Sequence, residues 1–287
     1  WQRSLVSHGG SVFFVNSVTG SNANTGDQPG GAFATLAYAI TQCTAAKGDV
    51  VYLLPGHAET VTAAIVPKSG VAVIGLGMGN NRPTFTGSGA IDVFDITAAN
   101  VYLKNLRING AAASVTALIN IAAADLVVEG CRFGHAATPL NAFTVASGAD
   151  RFLFKDCKIK GTANGPDTVF FFEVGSGSIS EWEVRDCEFI YTPSGLDKAA
   201  FLATADACPG GIIRNVTMLG LDLEGLFVDF NSSVAVGEGL IVNCQVQYIA
   251  AATVADILDL GGYGTARIAV SDGPNRGAII VPATSAT

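Results

Sequence analysis

Apolar and polar positions along residues 124–133 (ADLVVEGCRF) form a short pattern, with Leu126, Val128, Cys131 and Phe133 apolar and Glu129 and Arg132 polar. The pattern returns at 99–108 (ANVYLKNLRI), 150–159 (DRFLFKDCKI), 180–189 (SEWEVRDCEF), 209–218 and 238–246. With Cys131 as reference, the equivalent positions are Leu106, Cys131, Cys157, Cys187, Val216 and Cys244, in steps of 25, 26, 30, 29 and 28 residues. A self-similar period of this size signals stacked units that bury one continuous core. A further apolar run precedes each copy, at 91–96, 117–121, 142–145, 169–174, 201–204, 226–230 and 257–260, and reads as a strand. Strand, tight turn, strand and variable loop, every 25–30 residues, predict an all-β fold. Its form is a right-handed parallel β-helix solenoid of about seven rungs, the hand following from the crossover rule for parallel strands.

One segment breaks this period. In residues 31–43, Phe33, Leu36, Ala37 and Ile40 recur at helical spacing, which predicts one amphipathic helix. A stack of parallel coils ends in an open apolar disc, and a terminal element has to cover it. The expected cap is this helix, with Phe33, Leu36 and Ile40 facing the first rung. The organisation that follows is an N-terminal arm, strand and capping helix (1–47), a parallel β-helix (48–272) and a C-terminal tail (273–287).

Composition narrows the function. Hydrophobic residues make up 49% of the chain and charged residues 14%, at a net charge of −8. That supports a large core and argues against nucleic-acid binding, which needs a basic face. The apolar runs are too short for a membrane-spanning helix. Cys131, Cys157, Cys187 and Cys244 share one repeat position and read as an interior ladder of free, reduced thiols. Metal-type C-x₂-C spacing is absent, so neither a metal nor a cofactor is expected.

Asn105, Gly130, Asp156, Asp186, Asn215 and Asn243 immediately precede the ladder. Short amide and carboxylate side chains there suit a bend in the left-handed conformation, with amides stacking between rungs. The enzymatic alternative makes Asp156 and Asp186 an acid/base pair on adjacent rungs. Arg107, Arg132 and Lys158 follow the ladder and are expected to face outward, either as a solvated face or as a contact for an acidic sugar or an acidic protein surface. Phe170, Phe171 and Phe172 cannot all point inward, because strand side chains alternate. With Trp182 and Tyr191 they form the expected aromatic interface patch.

The segments FVNSVTGSN at 14–22, FATL at 33–36 and PGHAET at 55–60, followed by VIGLG at 73–77 and RPT at 82–84, resemble pectin-lyase-like right-handed β-helix proteins. The particular version is similar to β-helix proteins of bacteriophage virions. That resemblance implies a homotrimeric structural protein of the virion. A capsid decoration (cement) protein on the capsid exterior, bound to the major capsid protein, comes first. A tail spike or fibre component that binds a host glycan is the alternative, and a polysaccharide lyase or glycoside hydrolase the second. Catalysis would need clustered carboxylates; Asp229, Asp256 and Asp259 are the best acidic group, and they read equally well as surface residues. His57 follows a Pro-Gly turn and reads as structural. The chain is therefore expected not to be an enzyme.

Overall fold

The computed structural model describes residues 9–110, 115–135, 141–161, 170–174, 179–191, 201–203, 210–221, 228–229, 240–248, 258–259, 269–270 and 279–280. Three sheets of eleven, eight and seven strands run the length of these residues. One turn of chain adds one strand to each sheet: Tyr102–Lys104 to the first, Arg107–Gly110 to the second and Ala117–Ile121 to the third. Successive turns pair in parallel and almost without slippage. The repeated motif thus contains two strands, one on each side of the Asn105 corner, and the apolar run that precedes each motif supplies the third.

The result is an all-β parallel solenoid of about five full turns, from the one that starts at Ala72–Gly75 to the one that starts at Glu183–Arg185. In the next two turns the third strand shrinks to two residues, Val228–Asp229 and Leu258–Asp259. The expectation of about seven rungs counted these as full. Within the segment expected as a tail, Ile279–Ile280 pairs antiparallel with Ala269–Val270 at the end of the first sheet.

Central residues of each strand face inward and stack by register. Val73, Leu103, Val128, Phe154, Val184 and Ile213 form one buried column, and Phe85, Ile108, Phe133, Ile159, Phe189 and Met218 another. Between them aromatic rings meet edge-on, as Phe133 and Phe143 do at 4.8 Å.

The helix is shorter than its apolar spacing implies. It runs from Leu36 to Gln42, after a 3-10 turn at Pro29–Gly31. Phe33 is not part of it. That residue bridges Val15 in parallel fashion, because Asn22 Oδ1 accepts the Ala34 and Thr35 amides and holds the chain extended up to the N-cap Thr35. Phe33 is nevertheless buried, against Phe13 and Tyr38. Leu36, Ala39 and Ile40 join the core, and the helix lies against the first two strands, Val12–Val15 and Val50–Leu53. None of the helices among the described residues is long and apolar enough to cross a membrane.

Candidate interaction surface

The first sheet and its two corners carry most of the ordered polar chemistry. At its exit corner Asn105, Gly130, Asp156, Asp186, Asn215 and Asn243 all have φ between 52° and 64°, the left-handed region that Asn, Asp and Gly tolerate best. Their amides continue the inter-turn ladder: Asn105 N donates to Glu129 O, Gly130 N to Lys155 O, Asp186 N to Arg214 O and Asn215 N to Val242 O. Side chains add a second ladder. Asn243 Nδ2 donates to Asn215 Oδ1, and Asn215 Nδ2 to Asp186 Oδ1, both at 2.8 Å, while Asn105 Nδ2 donates to Gly75 O and Gly77 O. Asp186 therefore works as a corner residue; Asp156 shares the bend and lies 3.5 Å from Lys155 Nζ.

Behind each corner lies the cysteine column. Cys131, Cys157, Cys187 and Cys244 are free, and each Sγ reaches the carbonyl of the residue two positions back, at 3.1–3.6 Å. A thiol is small enough for the column and adds a weak donor to a carbonyl that already accepts a corner amide from the turn below. Burial raises the thiol pKa of Cys131 to about 12 and of Cys244 to about 11, and that of Cys157 well above its ordinary value. These groups are thiols, not thiolates, at neutral pH. Among the described residues no three His, Cys, Asp or Glu side chains are grouped as metal ligands.

A second corner, at the entry to the first sheet, was not visible in the sequence. Asn100, Asp125, Arg151, Glu181 and Gly210 are also left-handed, with φ between 56° and 71°. Arg151 and Glu181 are long side chains that carry no turn signal. The outer face between the two corners carries ion pairs within and across turns, with Glu183 shared by Arg185 on its own strand and Arg214 on the next turn. Lys104 pairs with Glu129 at 3.1 Å, Arg214 with Glu183 at 2.7 Å, and the Tyr102 hydroxyl donates to Glu129 at 2.9 Å. On the second sheet Lys158 pairs with Glu188. Of the expected outward cations only Arg107 and Arg132 lack a carboxylate among the described residues. Arg107 donates to Gly79 O and Arg132 to Asp156 O, and Arg82 reaches across two turns to Gly130 O. Burial, then the nearby Arg132 and Arg107 charges, lower the Arg82 pKa. The sequence offered Arg82 only as part of the RPT segment.

The aromatic interface patch is not assembled as expected. Trp182 is 4% exposed and Phe172 3%. Trp182 stacks on Phe152, and Phe172 stacks on Phe143 and Phe152, inside the core. The physical reason is phase: Trp182 comes one residue after a left-handed corner, which turns its side chain inward. The side chains of Phe170, Phe171 and Tyr191 lie outside the described residues. Asp229 and Asp259 are register partners on the third sheet, while Asp256 lies outside the described residues.

His57 is a structural clamp. It is 1% exposed; its Nδ1 accepts the Ser17 amide at 3.0 Å, and its Nε2 lies 3.3 Å from Glu59 Oε2. Glu59 Oε2 in turn accepts the Leu36 amide at the first residue of the helix. Asp49, equally buried, accepts the Ser11 and Thr44 amides at 2.6 Å each. Lys68 Nζ takes the Thr41 and Cys43 carbonyls at the helix end. The PGHAET segment therefore ties strand, helix and first turn together.

Comparisons with known proteins add the following. No protein-family model matches the sequence, and no curated protein matches it. Among solved structures the chain is similar to a rhamnogalacturonan lyase, at 18% identity and a TM-score of 0.48, over 91% of this chain and 67% of that one. It is also similar to ORF18 of Geobacillus virus E2, at 15% identity and a TM-score of 0.46, over 84% of this chain and 59% of that one. This chain thus spans less than two thirds of the length of that virus protein.

Proposed function

We propose that this protein is a structural component of a phage virion, a homotrimer that decorates the capsid exterior and reinforces the subunits beneath it. Helix Leu36–Gln42 and the clamp around His57 close the first turn of its solenoid. The observation that carries this reading is the outer surface of the first sheet. There, ion pairs such as Lys104–Glu129 and Arg214–Glu183 join successive turns, and backbone amides of both corners, such as Asp125, Arg151, Asn105 and Asn215, bond the next turn. Such a rod resists bending, and its chemistry lies in adhesion along faces and corners. The likeness of the 14–22, 55–60 and 73–84 segments to phage β-helix proteins supports the same role. Cryo-microscopy of native particles tests it. Solenoid density arranged in threes over the capsid shell is the expected result. Density confined to the tail would transfer the chain to the spike reading, and a soluble monomer that cleaves polysaccharide would overturn both.

A further inference from the structure

Over its first three turns the exit corner of the first sheet is basic, while the entry corner is acidic. The exit-corner carboxylates come later, Asp156 beside Lys155 and Asp186 bonded by Asn215. At the exit corner Arg82, Arg107 and Arg132 belong to three successive turns, and each uses one N–H on a backbone carbonyl. A guanidinium offers five donors, so each keeps donors that no acceptor among the described residues takes. Like charges one turn apart, about 4.8 Å, repel, and no carboxylate among the described residues relieves them. The loop that gives Arg107 its Gly79 carbonyl also presents Met78, 82% exposed. At the entry corner Asp125, Asp150 and Glu181 likewise belong to three successive turns. One cation, Arg151, stands among them; it pairs with Asp125 at 2.9 Å, and the Asp150 and Glu181 charges also raise its pKa. Arg151 takes both Asp125 oxygens, and Asp150 Oδ1 accepts the Ser180 amide and hydroxyl, so the net negative charge of this corner is presented by Glu181 and the other Asp150 oxygen.

We propose that these corners are the two halves of one interface between copies of this chain: Arg82, Arg107 and Arg132 of one copy meet Asp125, Asp150 and Glu181 of the next. The proposal deepens the trimer reading above by assigning its contact surfaces. The halves differ, so the contact is head-to-tail, and each copy contributes both. A two-fold contact at either corner would instead set like charge against like charge. The acidic corner begins at the turn where the basic one ends. The stagger is two turns, roughly 10 Å, and the solenoid axes are therefore inclined to the axis of the ring. A chain with net charge −8 gains most from self-contact where its cations stand unmatched.

The test is the mass of the full chain in solution, by light scattering after size exclusion and by sedimentation. The wild type is expected to be oligomeric at roughly 50 mM salt and to dissociate toward monomer at roughly 500 mM. Two neutralising variants, Arg82→Gln/Arg107→Gln/Arg132→Gln and Asp125→Asn/Glu181→Gln, each lose at least roughly tenfold in association. Mixing them restores a one-to-one dimer, because each keeps the half the other lacks. Circular dichroism and the thermal midpoint show whether each variant is folded, and Arg107→Gln alone gives a graded loss if the triple variant is not. A wild type that is monomeric at every salt concentration overturns the proposal, as does an oligomer indifferent to both variants. So does loss of binding to an anionic polysaccharide such as alginate, with mass unchanged. An oligomer that depends on both corners but is absent from particles would instead overturn the virion role alone. A monomer present on particles would do the reverse.

Discussion

The two corners of the first sheet make the same backbone bend with different residues. Asn100 and Asn105, Asp125 and Gly130, Arg151 and Asp156, Glu181 and Asp186, Gly210 and Asn215 are pairs five residues apart, and every member is left-handed. At both corners the bent residue's amide donates to the turn above: Asp125 to Asp150 O and Arg151 to Ser180 O at the entry, Asp156 to Arg185 O at the exit. That bond offsets the roughly 1 kcal/mol of left-handed strain and keeps the ladder intact around the bend. The difference lies in the side chains. At the exit corner they point along the stack and bond one another or a carbonyl. At the entry corner they form an exposed ionic cluster, in which Arg151 pairs with Asp125. One bend can therefore be filled by residues chosen for conformation or by residues chosen for charge, provided the backbone amide is satisfied.

The largest expected effect comes from closing the space beneath an exit corner. A Cβ on Gly75 would lie 2.3 Å from Asn105 O, so Gly75→Ala is expected to cost about 3 kcal/mol or to prevent folding; urea titration measures it. Next, Asn105→Ala removes two hydrogen bonds to Gly75 O and Gly77 O and adds left-handed strain, about 2 kcal/mol together. Asn105→Gly removes the bonds without the strain and should cost about half as much. At the entry corner the sign reverses. Glu181→Gly relieves strain and removes no corner hydrogen bond, so it should raise the unfolding free energy by up to about 1 kcal/mol while weakening self-association. Equal losses at the two corners would erase the distinction drawn between them.

Two smaller tests concern the surface between the corners and the gap in the exit ladder. The Glu129 carboxyl titrates below its ordinary value of 4.5; burial opposes this, but hydrogen bonds from Lys104 and Tyr102 outweigh it. A depressed carboxylate pKa stabilises the fold at neutral pH, and that contribution is lost as pH falls from the ordinary value through the folded one. Glu129→Gln should therefore flatten the fall in thermal midpoint between about pH 5 and 3, by less than about 1 kcal/mol because the pair is partly solvated. A slope identical to wild type would remove this pair from the acid response. Gly130 is the one glycine in the exit column, and a Cβ there would meet nothing within 4 Å. Gly130→Asn should change stability by no more than about 0.5 kcal/mol, and a larger loss would show that the corner needs glycine there.

The exit corner was legible because its requirement falls on residue type: Asn, Asp or Gly recurs at one position, next to a cysteine that shares the period. The entry corner was not, because Arg151 and Glu181 have no preference for the bend, and Arg151 is held there by its amide to Ser180 O and its guanidinium to Asp125. Trp182 shows the same limit. As a large aromatic among charged residues it looked like surface, and the corner beside it turned it into the core. The helix was legible in its core-facing residues Leu36 and Ile40, and misplaced at Phe33 because the pinning residue, Asn22, lies eleven positions earlier.

By itself the sequence determined that the chain repeats, that each repeat carries strands split by a bend, and that cysteines line the inside. These follow from local period and residue type. Only the tertiary structure decided which unmatched charges stand together. Arg107 and Arg132 are 25 residues apart and meet because parallel strands place equivalent positions of successive turns side by side, and Arg82, two residues before the Thr84 strand, joins them by reaching across to Gly130 O. His57 and Ser17, Asp49 and Ser11, Lys68 and Cys43 are likewise joined by chain closure. Contacts of this kind depend on the lengths of the intervening loops as much as on the residues themselves, and no local pattern records them.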